Sequence, residues 1–507
     1  MPTSTLLQRL IPLLLGASLV FAYAPFGQAW ITIPVMALLI LFTSQHNARQ
    51  AFRIGFFFGF GWFAAGLSWI YVSIDRFGGL APIASIALLA LLFAYLSLFP
   101  ALALWLWRRI GQRFNTLALG LVPLLWLLAE SARGWLFTGF PWLELGYSQT
   151  DSWLGQYAPW LGGSGITLVM WLVVISLISW WQQRRWYQAT FAALLLTLPF
   201  ALPWLHPSER SDDSIKVLLV QGNIDQSIKW NPEQHWPTML HYLNLSKPHY
   251  ASHDLIIWPE AAVTMPEPYT DDILANIHSA TADEGVALIT GIIDFRGGQY
   301  FNSLITLGQD GADAVAEAYF HGHSNRYQKH QLLPIGEFVP FEDLLRPLAP
   351  LFDLPMSSFA RGNAVQANLQ AAGHQFAAAI CYEVVFPDLL RSNITPATDF
   401  ILTVSNDTWF GASHGPAQHM QIARMRALEF ARPLLRATNN GISAVVDEHG
   451  HELARAEQFV ATSISAEVPL VRGDTNFYRY GMWPTWLFAL LFALISIFNV
   501  VKRRQNQ

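Results

Sequence analysis

Cys381 is the only cysteine in a sequence of 507 residues. A lone cysteine forms no disulfide within its chain and cannot build a cysteine-rich metal site, so it is either packing filler or chemistry. It follows the apolar run 376–380 and opens Cys381-Tyr382-Glu383, which places a thiol at the tip of a buried strand. There it can face a cleft while the next backbone N–H groups point at a developing oxyanion. A second run, 254–258, ends in Pro259-Glu260 and delivers a carboxylate to the same kind of position. A carboxylate partly withdrawn from water suits a general base, although Glu260 taken alone reads as an ordinary solvated acid. The third candidate is Lys329, in Tyr327-Gln328-Lys329-His330, ahead of Pro334-Ile335-Gly336-Glu337-Phe338-Val339-Pro340. A lone loop lysine ordinarily serves solubility.

These residues need a layered domain to hold them. Residues 214–471 alternate apolar, strand-like runs with turn residues and polar helical stretches. Strands are predicted at 215–220, 255–258, 287–293, 376–380, 400–404 and 441–446, and helices at 233–245 and 415–431. Alternating strands and helices point to an α/β fold. No internal repeat or low-complexity segment stands out.

The rest of the chain calls for a different solvent. Over the whole sequence 53% of residues are hydrophobic and 13% charged, too apolar for a water-soluble chain of this size. Its 21 Trp and 34 Phe suit the boundary between headgroups and hydrocarbon. Apolar stretches of about spanning length are predicted at 10–25, 30–43, 54–74, 81–107, 116–133, 160–181, 187–204 and 483–501, about eight transmembrane helices. Basic clusters at Arg9, Arg49 and Arg53, Arg108 to Arg113, Arg184 and Arg185, and Lys502 to Arg504 all fall on one side of this arrangement. The positive-inside rule makes that side cytoplasmic and puts the α/β domain on the opposite, extracytoplasmic face. Arg9, an apolar run and Ala22-Tyr23-Ala24 also fit a cleaved signal peptide, and charge parity does not separate the two readings. The expected organisation is a membrane domain at 1–213, an extracytoplasmic catalytic domain at 214–471, and a final helix with a basic cytoplasmic tail at 472–507. A net charge of −5 without a long basic run leaves no footprint for nucleic acid.

The order Glu260, Lys329, Cys381, with Gly336-Glu337-Phe338, Cys381-Tyr382-Glu383 and Ser405-Asn406-Asp407-Thr408-Trp409-Phe410, resembles the nitrilase, or carbon–nitrogen hydrolase, superfamily. Joined to membrane helices, and with Phe140-Pro141-Trp142, Lys229-Trp230, Arg346-Pro347-Leu348-Ala349-Pro350, Met425-Arg426-Ala427-Leu428-Glu429 and Arg432-Pro433, the chain resembles the bacterial apolipoprotein N-acyltransferase family. That resemblance implies an αββα sandwich in an inner-membrane enzyme and a ping-pong reaction. An acyl chain would pass from a membrane phospholipid, commonly phosphatidylethanolamine, to Cys381. The thioester would then acylate the N-terminal cysteine amine of a diacylglyceryl-modified apolipoprotein. Glu260 would be the base, and Lys329 with the Tyr382 N–H would stabilise the oxyanion. Glu337 would orient Lys329 or the incoming amine, and Glu383 belongs to the surroundings of the thiol. Trp230 would stand near the substrate entrance and Arg346 near a lipid headgroup, and no metal or organic cofactor is called for.

Some features stay open at this level. A membrane-tethered amidase would use the same triad with water as acceptor, and a silent receptor or scaffold would keep the triad only as a relic. His321, His323 and His330 invite a metal reading but lack a visible complement of carboxylate or cysteine ligands. Glu130 and Arg133, one helical turn apart, either pair with each other or mark a polar cavity. Residues 344–356 are unusually apolar for a loop, as fits either a membrane-dipping lid or the domain's own core.

Overall fold

Each of the eight apolar stretches contains an α-helix in the computed structural model, which describes residues 6–77, 81–113, 118–206, 208–308, 318–334, 336–338 and 359–505. Residues 344–356, with Arg346, lie outside the described residues. The chain divides into two units, Met1–His206 with Arg479–Gln507, and Pro207–Tyr478.

In the first unit helix length varies more than the apolar pattern implied. Among the described residues two helices, Pro82–Arg113 and Trp153–Gln183, are long and apolar enough to cross a bilayer, and the pair Ala48–Gly66 and Ile70–Arg76, bent by 62°, makes a third if it counts as one span. Other apolar helices are shorter: Leu7–Ser18 has 12 residues before it tightens into a 3₁₀ turn at Leu19–Ala22. Such a helix rises about 18 Å, against a hydrocarbon layer of about 30 Å. Between Trp135 and Ala158 the backbone leaves the α-helical form, and buried polar groups take up its hydrogen bonds. Arg133 donates to the carbonyl oxygens of Phe140, at 3.1 Å, and Trp142. Glu130 Oε1 accepts from Leu145 N–H and Trp126 Nε1, each at 3.1 Å. Each residue therefore supports this segment, as irregular backbone among apolar helices requires. The last helix, Trp483–Gln505, belongs to the same unit and packs Ala489 against Leu127, Leu168 and Leu172.

The second unit is built on two sheets. In the first, the order is β13-β1-β2-β4-β5-β6, with β3 beside β4 (β1 Glu209–Gln221, β2 Leu255–Ile257, β3 Val263–Pro266, β4 Ala287–Arg296, β5 Gln299–Gly308, β6 Arg326–Gln328, β13 Thr462–Arg472). In the second it is β12-β11-β10-β9-β8-β7 (β7 Leu369–Ala371, β8 His374–Ile380, β9 Phe400–Ser405, β10 Leu434–Thr438, β11 Ala444–Val446, β12 Glu452–Arg455). Alternation along β1 explains the layers. Ile215, Val217 and Leu219 join Ile257 and Ile289 against Phe376, Ala378, Ile380, Leu402 and Val404 of the other sheet. Leu218 and Val220 face outward and pack under Met239, Tyr242, Leu274 and Ile277 of the helices Pro232–Ser246 and Asp271–Asp283. Helix Gly415–Phe430 lies on the second sheet, with nearly every residue buried. Strands buried on both faces read as continuous apolar runs, which is why the sequence marked them.

The larger boundary shifts are three: β1 begins six residues early at Glu209, the strand predicted at 441–446 is confined to Ala444–Val446, and β4 runs on to Arg296. β4 turns directly into β5 through Gly297 and Gly298, both at positive φ (59° and 77°), with Arg296 paired to Gln299. That is the two-residue hairpin turn that suits twisted strands. Leu402 is fully buried between the sheets, so Leu402→Ala should destabilise the second unit by about 2–5 kcal/mol. Denaturant unfolding of the full chain reads this as a lowered midpoint, and an unchanged midpoint would contradict the assigned core.

Candidate active site

Strand ends deliver the three predicted residues. Glu260 follows β2, Lys329 follows β6 and Cys381 follows β8. β2 runs parallel to β4, and β6 does so through the antiparallel β5, so Glu260 and Lys329 leave the first sheet at the same edge. Close approach there needs a glycine: a Cβ on Gly291 of β4 would stand 2.4 Å from Ala261 N and 2.8 Å from Glu260 Cα. Cys381 itself has φ = 53°, a left-handed conformation unfavourable for a side chain, as it turns into the 3₁₀ segment Cys381–Val385. Such strain persists only where surrounding contacts over-determine it.

Glu383 supplies several of those contacts. Its carboxylate accepts from Ile380 N–H (2.8 Å), His330 N–H (2.7 Å), Gln331 N–H (2.9 Å) and Tyr327 Oη–H (3.0 Å). One buried side chain thus ties the residue before the cysteine to the residues flanking the lysine. Burial pushes the Glu383 carboxyl up to about 7, against the pull of these N–H donors and of the Lys329 charge.

Lys329 is almost fully buried. Its Nζ stands 2.9 Å from Glu337 and 3.6 Å from Glu260 Oε1. Burial works against its charge, but Glu337, Glu260 and the neighbouring Cys381 outweigh that and hold the ammonium well above its ordinary range. Asn302 Nδ2 donates to both carboxylates, at 2.7 Å to Glu260 and 3.0 Å to Glu337, and its backbone carbonyl accepts Lys329 N–H. The second oxygen of Glu260 accepts Asn406 N–H at 2.9 Å, from the turn after β9. The thiol lies where Glu260 and Lys329 both act on it. Burial first, then the Glu260 charge, push it up to about 12, while Lys329 and a hydrogen bond with Ser405 pull it down.

The structure therefore brings Glu260, Lys329, Cys381, Glu337 and Glu383 together. Tyr382 is buried, its ring edge-on to Phe386 at 5.2 Å. Trp230 is half-buried, with Lys229 Nζ over its ring at 5.5 Å. Lys229, in sequence only part of the Lys229-Trp230 motif, is buried, donates to the Glu260 carbonyl at 3.2 Å, and is brought down to about 8 by burial. Asn302 was missed, because an asparagine in a strand carries no signal until its neighbours are known. The histidine reading needs correcting too. His321 does have carboxylate neighbours, Glu267 and Asp294, with one atom of each of the three within 4.8 Å. Arg326 already bridges both carboxylates, at 2.8 Å and 3.1 Å, so its charge fills the place a cation would take.

A thiol held near 12 has a thiolate fraction that rises tenfold per pH unit through the ordinary thiol range. Alkylation of Cys381 by iodoacetamide should therefore climb steadily past pH 8.5, where a free cysteine begins to level. A plateau near 8.5 would show an unperturbed thiol.

Two family models match the chain: apolipoprotein N-acyltransferase N-terminal domain over residues 15–176, and carbon–nitrogen hydrolase over residues 216–475. Apolipoprotein N-acyltransferase of Shewanella oneidensis is 45% identical, covering 99% of this chain and 97% of that protein. The enzymes of that name from Vibrio cholerae and Haemophilus influenzae are 44% and 38% identical over 96% and 98% of this chain, each covered over 96% of its own length. Among solved structures, a carbon–nitrogen hydrolase superfamily protein of Xanthomonas campestris matches at 18% identity and a TM-score of 0.37, over 54% of this chain and 97% of that one. A value that low carries no weight, so the fold assignment rests on the family model and the two-sheet topology.

Proposed function

The chain belongs to the apolipoprotein N-acyltransferase family, and from that premise we propose how its residues carry the acyl group. Cys381 is the nucleophile, Glu260 its general base, and Lys329 with the Tyr382 N–H the oxyanion stabiliser. Glu337 holds Lys329. The donor is a membrane phospholipid and the acceptor a diacylglyceryl-modified apolipoprotein. What carries this reading is the buried convergence of one ammonium on two carboxylates beside the only thiol of the chain.

Ionising a thiol near 12 at pH 7 costs about 7 kcal/mol, so the proton leaves as the sulfur–carbon bond forms. Glu260 takes that proton while the carbonyl oxygen becomes an oxyanion facing Lys329. Collapse breaks the ester bond, and Glu260 returns the proton to the departing lysophospholipid hydroxyl. The thioester remains. The N-terminal amine of the acceptor then attacks it, Glu260 takes the amine proton, and amide formation expels the sulfur, which recovers its proton.

Both substrates are lipids, and moving an acyl chain into water costs about 0.8 kcal/mol per methylene, which is the physical reason to join such a site to apolar helices. The chain is a membrane protein. In our reading its eight apolar helical stretches all take part in a multi-pass bundle in the bacterial inner membrane. Residues 214–471 then form the catalytic domain on the extracytoplasmic side, between a membrane domain at 1–213 and a last helix at 472–507, as the basic clusters require. Trp230 beside the site and Arg346 serve substrate entry and the headgroup. A tethered amidase would share the triad, but relatives matching nearly the whole chain are N-acyltransferases.

The test is detergent-purified protein with phospholipid carrying a labelled acyl chain. It should label Cys381 as a thioester and then release the label to a lipopeptide amine. Cys381→Ala should abolish both steps while the thermal unfolding midpoint stays close to that of the unaltered chain. Normal turnover by the folded variant would sink the mechanism, and label appearing only as free acid would favour a hydrolase.

A further inference from the structure

Behind Cys381 lies a buried polar cluster that the acyl-transfer mechanism does not use. The 3₁₀ segment Asp407–Phe410 brings Asp407, helix Gly415–Phe430 brings His419, and β10 brings Arg436; each is buried. Arg436 Nη2 donates to Asp407 Oδ2 at 2.9 Å, and Ser405 Oγ donates to Asp407 Oδ1 at 2.6 Å. Room for this carboxylate depends on Gly441, where a Cβ would stand 2.4 Å from Asp407 Oδ2.

The cluster settles which nitrogen of His419 holds the proton. Nδ1 is 2.9 Å from Arg436 Nη2 and 3.1 Å from Asp407 Oδ1. A guanidinium only donates and a carboxylate only accepts, so these two contacts oppose each other at Nδ1, and the acceptor-only Cys381 carbonyl on the other side of the ring places the proton on Nε2. Nε2 is 3.2 Å from the carbonyl oxygen of Cys381 and donates to it. Burial and the Arg436 charge both disfavour a second proton on the ring.

A trans peptide points its C=O and N–H in opposite directions. Whatever grips the Cys381 carbonyl from the buried side therefore aims the Tyr382 N–H the other way, away from His419. We propose that His419 is a positioning residue for acyl transfer: as the neutral Nε2–H tautomer it locks the Cys381–Tyr382 peptide so that the Tyr382 N–H faces the developing oxyanion. The same bond restrains the left-handed backbone of Cys381. Ser405 and Asn406, which precede Asp407, reach the thiol and Glu260, so a single turn after β9 registers nucleophile, base and oxyanion donor together. The inference rests on the reading of Cys381 as nucleophile.

Glutamine can present an N–H where Nε2 stands, and leucine cannot. In the full-length enzyme, His419→Leu should lower kcat for acylation about 100-fold with little change in KM, the loss expected when an oxyanion donor is misaimed. His419→Gln should recover most of that rate. Equal rates for the two variants, or a loss confined to KM, would overturn the proposal. If His419→Leu fails to fold, histidine ¹⁵N spectra of the unaltered protein decide at about pH 7. A neutral Nε2–H ring for His419 supports the proposal, and an imidazolium or an Nδ1–H ring refutes it. Absence of any acyl-Cys381 in the unaltered enzyme would instead remove the nucleophile reading, and this inference with it.

Discussion

Two carboxylates and one ammonium, all largely out of water, form the constraint on which the site is organised. Glu260 and Glu337 both lean on Lys329, and Asn302 bridges them. A buried pair of acids without that cation would repel, and a buried lysine without them would lose its proton. Burial first, and then the charge of Glu260, keep the proton on the thiol beside this arrangement, against the pull of Lys329. In the proposed reaction, nucleophilicity is withheld until an acyl carbonyl arrives to receive the electron pair.

Around this centre the fold acts as a set of anchors on backbone atoms. Glu383 holds N–H groups on either side of the site, Lys229 holds the carbonyl of Glu260, and His419 holds the carbonyl of Cys381. Ala261 and Cys381, at the turning points after β2 and β8, both sit at positive φ, 47° and 53°. Charged side chains buried beneath the strand ends keep these two strained turns from relaxing.

Much of the candidate site was legible because polar residues end apolar runs: Glu260 and Cys381 each follow a strand that periodicity marks. Lys329 needed the ordered resemblance, since β6 has only three residues and gives no pattern of its own. The roles of Asn302 and His419 were not legible, because each depends on partners that the chain brings together from distant strands and helices. Helix lengths in the first unit were not legible either. Hydropathy marks an apolar stretch but does not register where a 3₁₀ turn ends it, as at Leu19, or where a bend divides it, as after Gly66.

The last helix belongs to the first unit although the whole second unit precedes it in the chain. Ala489 completes a cluster whose other members, Leu127, Leu168 and Leu172, leave the ribosome more than three hundred residues earlier. The helical core therefore stays unfinished until Trp483–Gln505 has been made, while the inserted unit has its sequence beforehand and can fold first. A nascent chain stalled or truncated before Trp483 would hold every residue of the triad and still lack a wall of its own helical scaffold.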